Sequence, residues 1–216
     1  MRRNERVTIL LKMLPVLYPD ARCLLNYEGK PERLLIATIL SARTTDAAVN
    51  GVTPYLWETV KDIEGLSSAN RELIENIVHP LGFFRSKTKS IQKAAAWLIE
   101  HNEVVPGTID ELITIPGVGR KTANVIVGEV FHKPAIIVDT HVSRLVLRLD
   151  LTRKTEPSKI EADLKRILPK DRWTSFSHQL GFHGRKVCLS RKPKCSSCEF
   201  TGFCPKKGIS LLNTHP

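Results

Sequence analysis

At 216 residues the chain is long enough for one domain or two small ones, and with 42% hydrophobic residues it can bury a core, which excludes wholesale disorder. Lys and Arg outnumber Asp and Glu by 33 to 22, a formal net charge of +11, so a polyanionic partner is expected. No segment is apolar and long enough to span a bilayer, and the basic start lacks a signal-peptide cleavage site, so no membrane association and a cytoplasmic location are expected.

In chain order, residues 34–40 are apolar nearly all round, and without a partner strand of period-two alternation they predict a buried helix. Pro54 predicts that the helix after Thr45 kinks or ends. Over residues 86–101, Ile91, Ala94, Ala95 and Leu98 fall on one helical face; Ala123, Ile126, Val127 and Val130 repeat the spacing, as do Val142, Leu145, Val146 and Leu149. Thr108 with Glu111, and Ser158 with Glu161, match the capping-box pattern at helix starts. The expected fold class is all-α, and a loose tail is expected from Lys206.

The central signal is Ile115-Pro116-Gly117-Val118-Gly119-Arg120-Lys121-Thr122-Ala123, between two helical patterns. Two glycines permit a tight turn with positive φ and a close approach of backbone to phosphate, and the N–H groups opening the second helix favour an anion. Gly117, Val118, Gly119 and Arg120 are therefore candidate phosphate contacts that read no base sequence. Lys121 lies about 200° round the helix from Ala123, away from the apolar face, with Gly128 leaving that side open. The positive helix end and Arg120 disfavour an ammonium there, and a neutral amine is the form that attacks carbon; phosphate binding is the alternative role.

The apolar run 135–138 should be buried, which places Asp139 at the N-cap of the helix carrying Val142 and Leu145. A carboxylate held there either caps only, or also takes a proton or stabilises a developing cation. Cys23 stands alone, whereas Cys188, Cys195, Cys198 and Cys204 crowd together with gaps of six, two and five residues. Four thiolates so close predict one metal centre; spacing alone leaves zinc and iron–sulfur open. Between the first two ligands, Arg191, Lys192 and Lys194 offer a basic loop for phosphates.

The segment 115–123, the run Val138-Asp139-Thr140-His141 and the four-cysteine tail together resemble the endonuclease III family, the iron–sulfur branch of the helix-hairpin-helix DNA glycosylases, and the resemblance extends from Leu34 through Cys204. It implies a two-lobed fold: a helical barrel domain with the helix-hairpin-helix at 23–134, and a discontinuous cluster domain at 1–22 and 135–216. It implies a [4Fe–4S] cluster on the four cysteines and action on double-stranded DNA that carries a damaged base or abasic site, in a prokaryotic-type cytoplasm; with no oligomerisation motif in the sequence, a monomer is expected. It implies that Lys121 attacks C1′ and displaces the base, that β-elimination follows from the Schiff base, and that Asp139 assists. His141 joins the implied DNA contacts, and the damaged base must be flipped out of the stack.

Two departures bear on substrate range. Leu40-Ser41-Ala42 is followed by Arg43 where the family commonly has Gln, filling the space left by the flipped base; Thr44 and Thr45 alternatively cap the next helix. Phe83 stands where the family places an apolar wedge, usually Leu, and Phe83 or Phe84 alternatively belongs to a core. The leading expectation is a glycosylase and abasic-site lyase for oxidised pyrimidines. The alternatives are a monofunctional glycosylase for mismatched thymine, uracil or adenine, against which Lys121 argues, and a non-catalytic DNA-binding scaffold.

Overall fold

The computed structural model describes residues 1–209. In chain order the α-helices are α1 (Arg3–Leu17), α2 (Pro31–Leu40), α3 (Asp46–Val60), α4 (Ile63–Ser68), α5 (Arg71–Val78), α6 (Phe84–Glu100), α7 (Ile109–Leu112), α8 (Arg120–Glu129), α9 (Thr140–Arg148), α10 (Pro157–Ile167) and α11 (Trp173–Lys186). Short 3-10 turns lie at His79–Leu81, Lys170–Arg172 and Cys195–Ser197, and there is no strand among the described residues. The chain divides into two compact units, Cys23–Lys133 and Met1–Arg22 with Pro134–Pro216.

In the unit Cys23–Lys133, α2 is buried at every position from Leu34 to Leu40 and packs against α6 and α8. An all-round apolar helix needs such neighbours on every side. Its buried hydroxyls are satisfied locally: Thr38 Oγ1 donates to the Leu34 carbonyl, and Ser41 Oγ to that of Thr38. Helix α3 does not end at Pro54 but continues to Val60. Pro54 lies on the exposed face of the helix, away from the packed side, and removes one backbone N–H donor there. Thr108 caps α7 by accepting from the Glu111 N–H, as the box pattern predicts.

The second unit gathers Leu10, Leu14, Val142, Leu145, Val146, Leu149, Ile160, Leu164, Phe176 and Leu180 into one core. Each such side chain contributes about 1.5–3 kcal/mol on burial. Arg6 ties α1 to the end of α9: its guanidinium donates to the Asp150 carbonyl at 2.9 Å and pairs with the Asp150 carboxylate at 3.2 Å. The predicted box at Ser158 is corrected. Helix α10 starts at Pro157, whose fixed φ suits the first helical position, so Ser158 already lies inside the helix and donates to Glu156, while Glu161 pairs with Lys165.

Residues 135–138 form a buried extended segment without strand partners. Side chains of α11 replace the missing ladder: the Ala135 N–H donates to Thr174 Oγ1 and the Ile137 N–H to Ser177 Oγ. The two hydroxyls lie three positions apart on one helix face, matching alternate residues of the extended run. The chain after Lys206 is tied down where it is described: the Lys207 N–H donates to the Arg148 carbonyl and that of Ile209 to Lys206. The rest of the expected loose tail lies outside the described residues.

Candidate functional site

The hairpin joins α7 to α8, which pack against each other. Only one of its glycines uses a left-handed backbone. Gly117 has φ +84°, and an added Cβ would meet Ser90 at 3.0 Å and Ile39 at 3.5 Å. Gly119 is the N-cap of α8 in extended conformation, φ −95° and ψ 173°, so the positive φ of the turn falls on Gly117 alone. Nothing lies within 4 Å of its hypothetical Cβ, and it brings no side-chain cap to the first turn of α8. That open, uncapped turn is what a phosphate oxygen needs. The Val118 side chain is buried and its N–H donates to the Ile115 carbonyl at 3.0 Å, so it anchors the hairpin from within.

Lys121, like Gly117, Gly119 and Arg120, is exposed. The reason differs from the one-sided helix read in the sequence. Residues Thr122 to Gly128 are all buried, Gly128 included, so α8 has no open face in its centre. Lys121 escapes because it lies in the first turn. Cys23, which sequence reasoning left aside, lies close enough for Lys121 to act on its thiol; burial dominates and pushes that thiol up to about 11.

In the other unit Asp139 caps α9: its Oδ1 accepts from the Val142 N–H at 2.7 Å. Its other oxygen lies 3.7 Å from Arg185 in the last turn of α11. No spacing in the sequence pointed to that arginine. His141 is half-buried, with Nδ1 3.2 Å from an Arg144 nitrogen; burial, more than the nearby Arg185 and Arg144, lowers its pKa. A Cβ at Gly184 would stand 2.8 Å from His141 Cβ, so α9 and α11 touch closely at this point. Gly184→Ala is therefore expected to wedge them apart and destabilise the protein by about 1–3 kcal/mol, read as a lowered thermal midpoint. An unchanged midpoint would show that the contact is not tight.

Arg43 and Phe83 come together on the surface of the unit Cys23–Lys133. Phe83 is 62% exposed, which removes the core reading, whereas Phe84 is partly covered and packs its ring at a tilt against His79, with centroids 4.6 Å apart. The Arg43 guanidinium lies 5.3 Å from the Phe83 ring centre. Both residues adopt left-handed backbone, φ 56° and 50°, which costs a non-glycine residue free energy. Buried Lys87 supports the strained turn by donating Nζ to the Leu81 carbonyl at 2.8 Å. Thr45 caps α3, as the alternative reading had it.

The four clustered cysteines all line one pocket. Burial raises the thiols of Cys198, to about 11, and Cys204. Donors nonetheless point at the sulfurs: the Phe200 N–H at Cys198 and the Lys206 N–H at Cys204, both at 3.4 Å, and Arg148 Nη1 at Cys188, 3.2 Å away. Such a donor set suits thiolates held by a cation. Among the described residues no three Cys, His, Asp or Glu side chains converge as they would around a single ion. Arg191, Lys192 and Lys194 are exposed on the loop. Arg144 donates to the carbonyls of Gly184 and Cys188, and Arg148 to those of Leu189 and Ser190. The sequence held a signal for these two: four residues apart, they share a face of α9.

A glycine hairpin opening a helix with no side-chain cap, and an exposed lysine two residues after Gly119, matches the helix-hairpin-helix class of DNA-repair proteins. Residues 36–170 match the model of the HhH-GPD superfamily base excision DNA repair proteins. Endonuclease III of Synechocystis sp. is 45% identical over 210 residues, 96% of this chain and 95% of that protein. A solved non-covalent endonuclease III–DNA complex superposes with a TM-score of 0.91 at 39% identity, over 95% of this chain and 97% of the other. A trapped endonuclease III–DNA covalent intermediate, an estranged-adenine complex, superposes equally well. This chain belongs to the endonuclease III family.

Proposed function

We propose that Lys121 is the nucleophile and Asp139 its acid–base partner in a base-excision DNA glycosylase and abasic-site lyase acting on oxidised pyrimidines in duplex DNA. The glycosylase and lyase activities follow from the family. The observation that carries the lysine's role is its exposure at the second position of α8, beside the uncapped turn at Gly119. A backbone phosphate held at that turn brings the sugar chain to the lysine. The neutral amine attacks C1′ and the base departs with the glycosidic electron pair, taking up a proton. The attacking nitrogen then releases a proton, and the C1′–O4′ bond opens with O4′ protonated to leave an iminium at C1′. The resulting iminium acidifies the C2′ proton, and loss of that proton expels the 3′ phosphate. Asp139 is fixed by its cap bond and held near a cation, which suits a carboxylate that receives a proton or faces a developing positive charge.

The duplex partner is engaged by Gly117, Gly119 and Arg120 at the hairpin, by Arg191, Lys192 and Lys194 on the basic loop, and by His141. Arg43 and Phe83 fill the gap left by the flipped nucleotide, since they form an exposed cation–aromatic pair with apolar and hydrogen-bonding parts.

Cys188, Cys195, Cys198 and Cys204 hold a [4Fe–4S] cluster: all four line one pocket, their spacing suits a single metal centre, and the chain belongs to the endonuclease III family. When bound, the cluster cross-links the segment 188–204 and fixes the basic loop.

One panel tests this reading: strand cleavage and base release measured side by side on a thymine-glycol duplex and a G·T duplex. The expected result is coupled base release and cleavage on thymine glycol, with little release from G·T. Base release without cleavage, or preference for G·T, sinks the reading in favour of a monofunctional mismatch enzyme.

A further inference from the structure

The sulfur of Cys198 has a neighbour that the glycosylase and lyase chemistry does not use. His183 is 1% exposed on the inner face of α11, with Nε2 3.5 Å from Cys198 Sγ. Its other ring nitrogen, Nδ1, lies 2.8 Å from the hydroxyl of Tyr18, the residue that ends α1. Tyr18 is also buried, at 8% exposure. The imidazole stacks on Phe200 with centroids 4.1 Å apart, and the Phe200 N–H donates to the same Cys198 sulfur. The His183 carbonyl accepts from the Cys188 N–H at 2.9 Å, so one residue touches two of the four cysteines.

Hydrogen-bond chemistry leaves this row one consistent arrangement. A thiolate bound to iron carries no proton and only accepts. Nε2 must therefore carry the hydrogen of the neutral ring. Nδ1 is then the acceptor, and the Tyr18 hydroxyl must donate to it. With both residues buried, the tyrosine is the partner that selects this tautomer, as an outer-shell group orients a histidine at a metal site.

We propose that Tyr18 and His183 form a hydrogen-bond relay that fixes an N–H donor on Cys198 Sγ and raises the reduction potential of the cluster bound there. The inference rests on the [4Fe–4S] reading of the four cysteines. A donor on a ligand sulfur draws negative charge off the cluster and so favours its more reduced state. Cys198 receives two donors, from His183 and from the Phe200 backbone, and the histidine is the one that a distant side chain controls. Tyr18 and His183 are positioning residues for the cluster; neither ligates it. The relay also joins the N-terminal helix, through its last side chain, to the cysteine segment.

The test uses the purified holoprotein. Iron and sulfide content comes first, and a protein holding one zinc instead of four irons overturns the cluster reading and the relay with it. With the cluster in place, the midpoint potential of its one-electron couple is measured by voltammetry for the native chain, Tyr18→Phe, His183→Phe and the double variant. Tyr18→Phe removes only a hydroxyl, and is expected to retain full iron content while its potential moves negative. His183→Phe keeps a ring against Phe200 and is expected to move it further. The double variant is expected to match His183→Phe alone, because the tyrosine acts through the histidine. A Tyr18→Phe protein with full iron and the native potential overturns the relay. So does a double variant that adds the whole tyrosine shift to that of His183→Phe. Should His183→Phe lose its iron, the Tyr18→Phe potential decides alone.

Discussion

Lys121→Ala is expected to yield no covalent adduct when borohydride is added to the protein on an abasic-site duplex, and to cut strand cleavage by at least about 10³-fold. Removing the nucleophile removes the imine that borohydride reduces and the electron sink that β-elimination needs. The fold should not notice. Lys121 is exposed in the first turn of α8, and alanine is a good helix former, so stability should change by no more than about 0.5 kcal/mol. Binding should lose one phosphate-neutralising charge, lowering the salt slope by about one. Lys121→Arg sharpens the result: it keeps the charge but lacks the nucleophilic amine, so it should bind as the native chain does and still trap nothing. An adduct with either variant would move the nucleophile elsewhere, with Lys121 left as a phosphate contact. Native cleavage in both would leave it no role in the chemistry.

Asp139→Asn is expected to lower base excision by about 10²- to 10⁴-fold while leaving the thermal midpoint and duplex binding nearly unchanged. The contrast works because Asp139 has two structural attributes that substitution can separate. Its Oδ1 caps α9 through the Val142 N–H, and asparagine caps a helix about as well as aspartate. Its charge faces Arg185 at 3.7 Å, and asparagine removes that charge. Asp139→Ala removes both, and should add a stability loss of about 1 kcal/mol to the same loss of activity. Full activity in Asp139→Asn reduces the residue to a cap and undermines its place in the chemistry.

The two variants also bear on the scaffold alternative, which keeps the hairpin and basic loop but performs no chemistry. Such a protein would be indifferent to both substitutions.

Much of this was legible in the sequence because it is local. The helix at 34–40 follows from an apolar run with no strand partner, and α6, α8 and α9 from repeats at helical spacing. The Thr108 and Asp139 caps rest on bonds to residues three positions on, which sequence spacing encodes directly. Local rules also failed where neighbouring residues altered the outcome. Pro157 moved the start of α10 ahead of Ser158. Exposure of Pro54 let α3 run on. Of the two glycines that permit the turn, Gly117 alone took positive φ, and Gly119 became an extended N-cap.

By itself, then, the sequence determined the helical class, the hairpin and its lysine, the capping aspartate and the cysteine spacing, since each depends on residues within a few positions of one another. Only the tertiary structure decided which side chains answer them. Arg185 faces Asp139 from 46 positions away, and Arg148 reaches Cys188 from 40 away. Tyr18 reaches His183 across 165 positions, while Arg43 meets Phe83 across 40. Val118 turned inward and Phe83 outward although both are apolar, because burial depends on what the neighbouring helices leave uncovered. Periodicity reports which face of a helix is apolar; it carries no information on which distant element covers that face, and packing supplied that information.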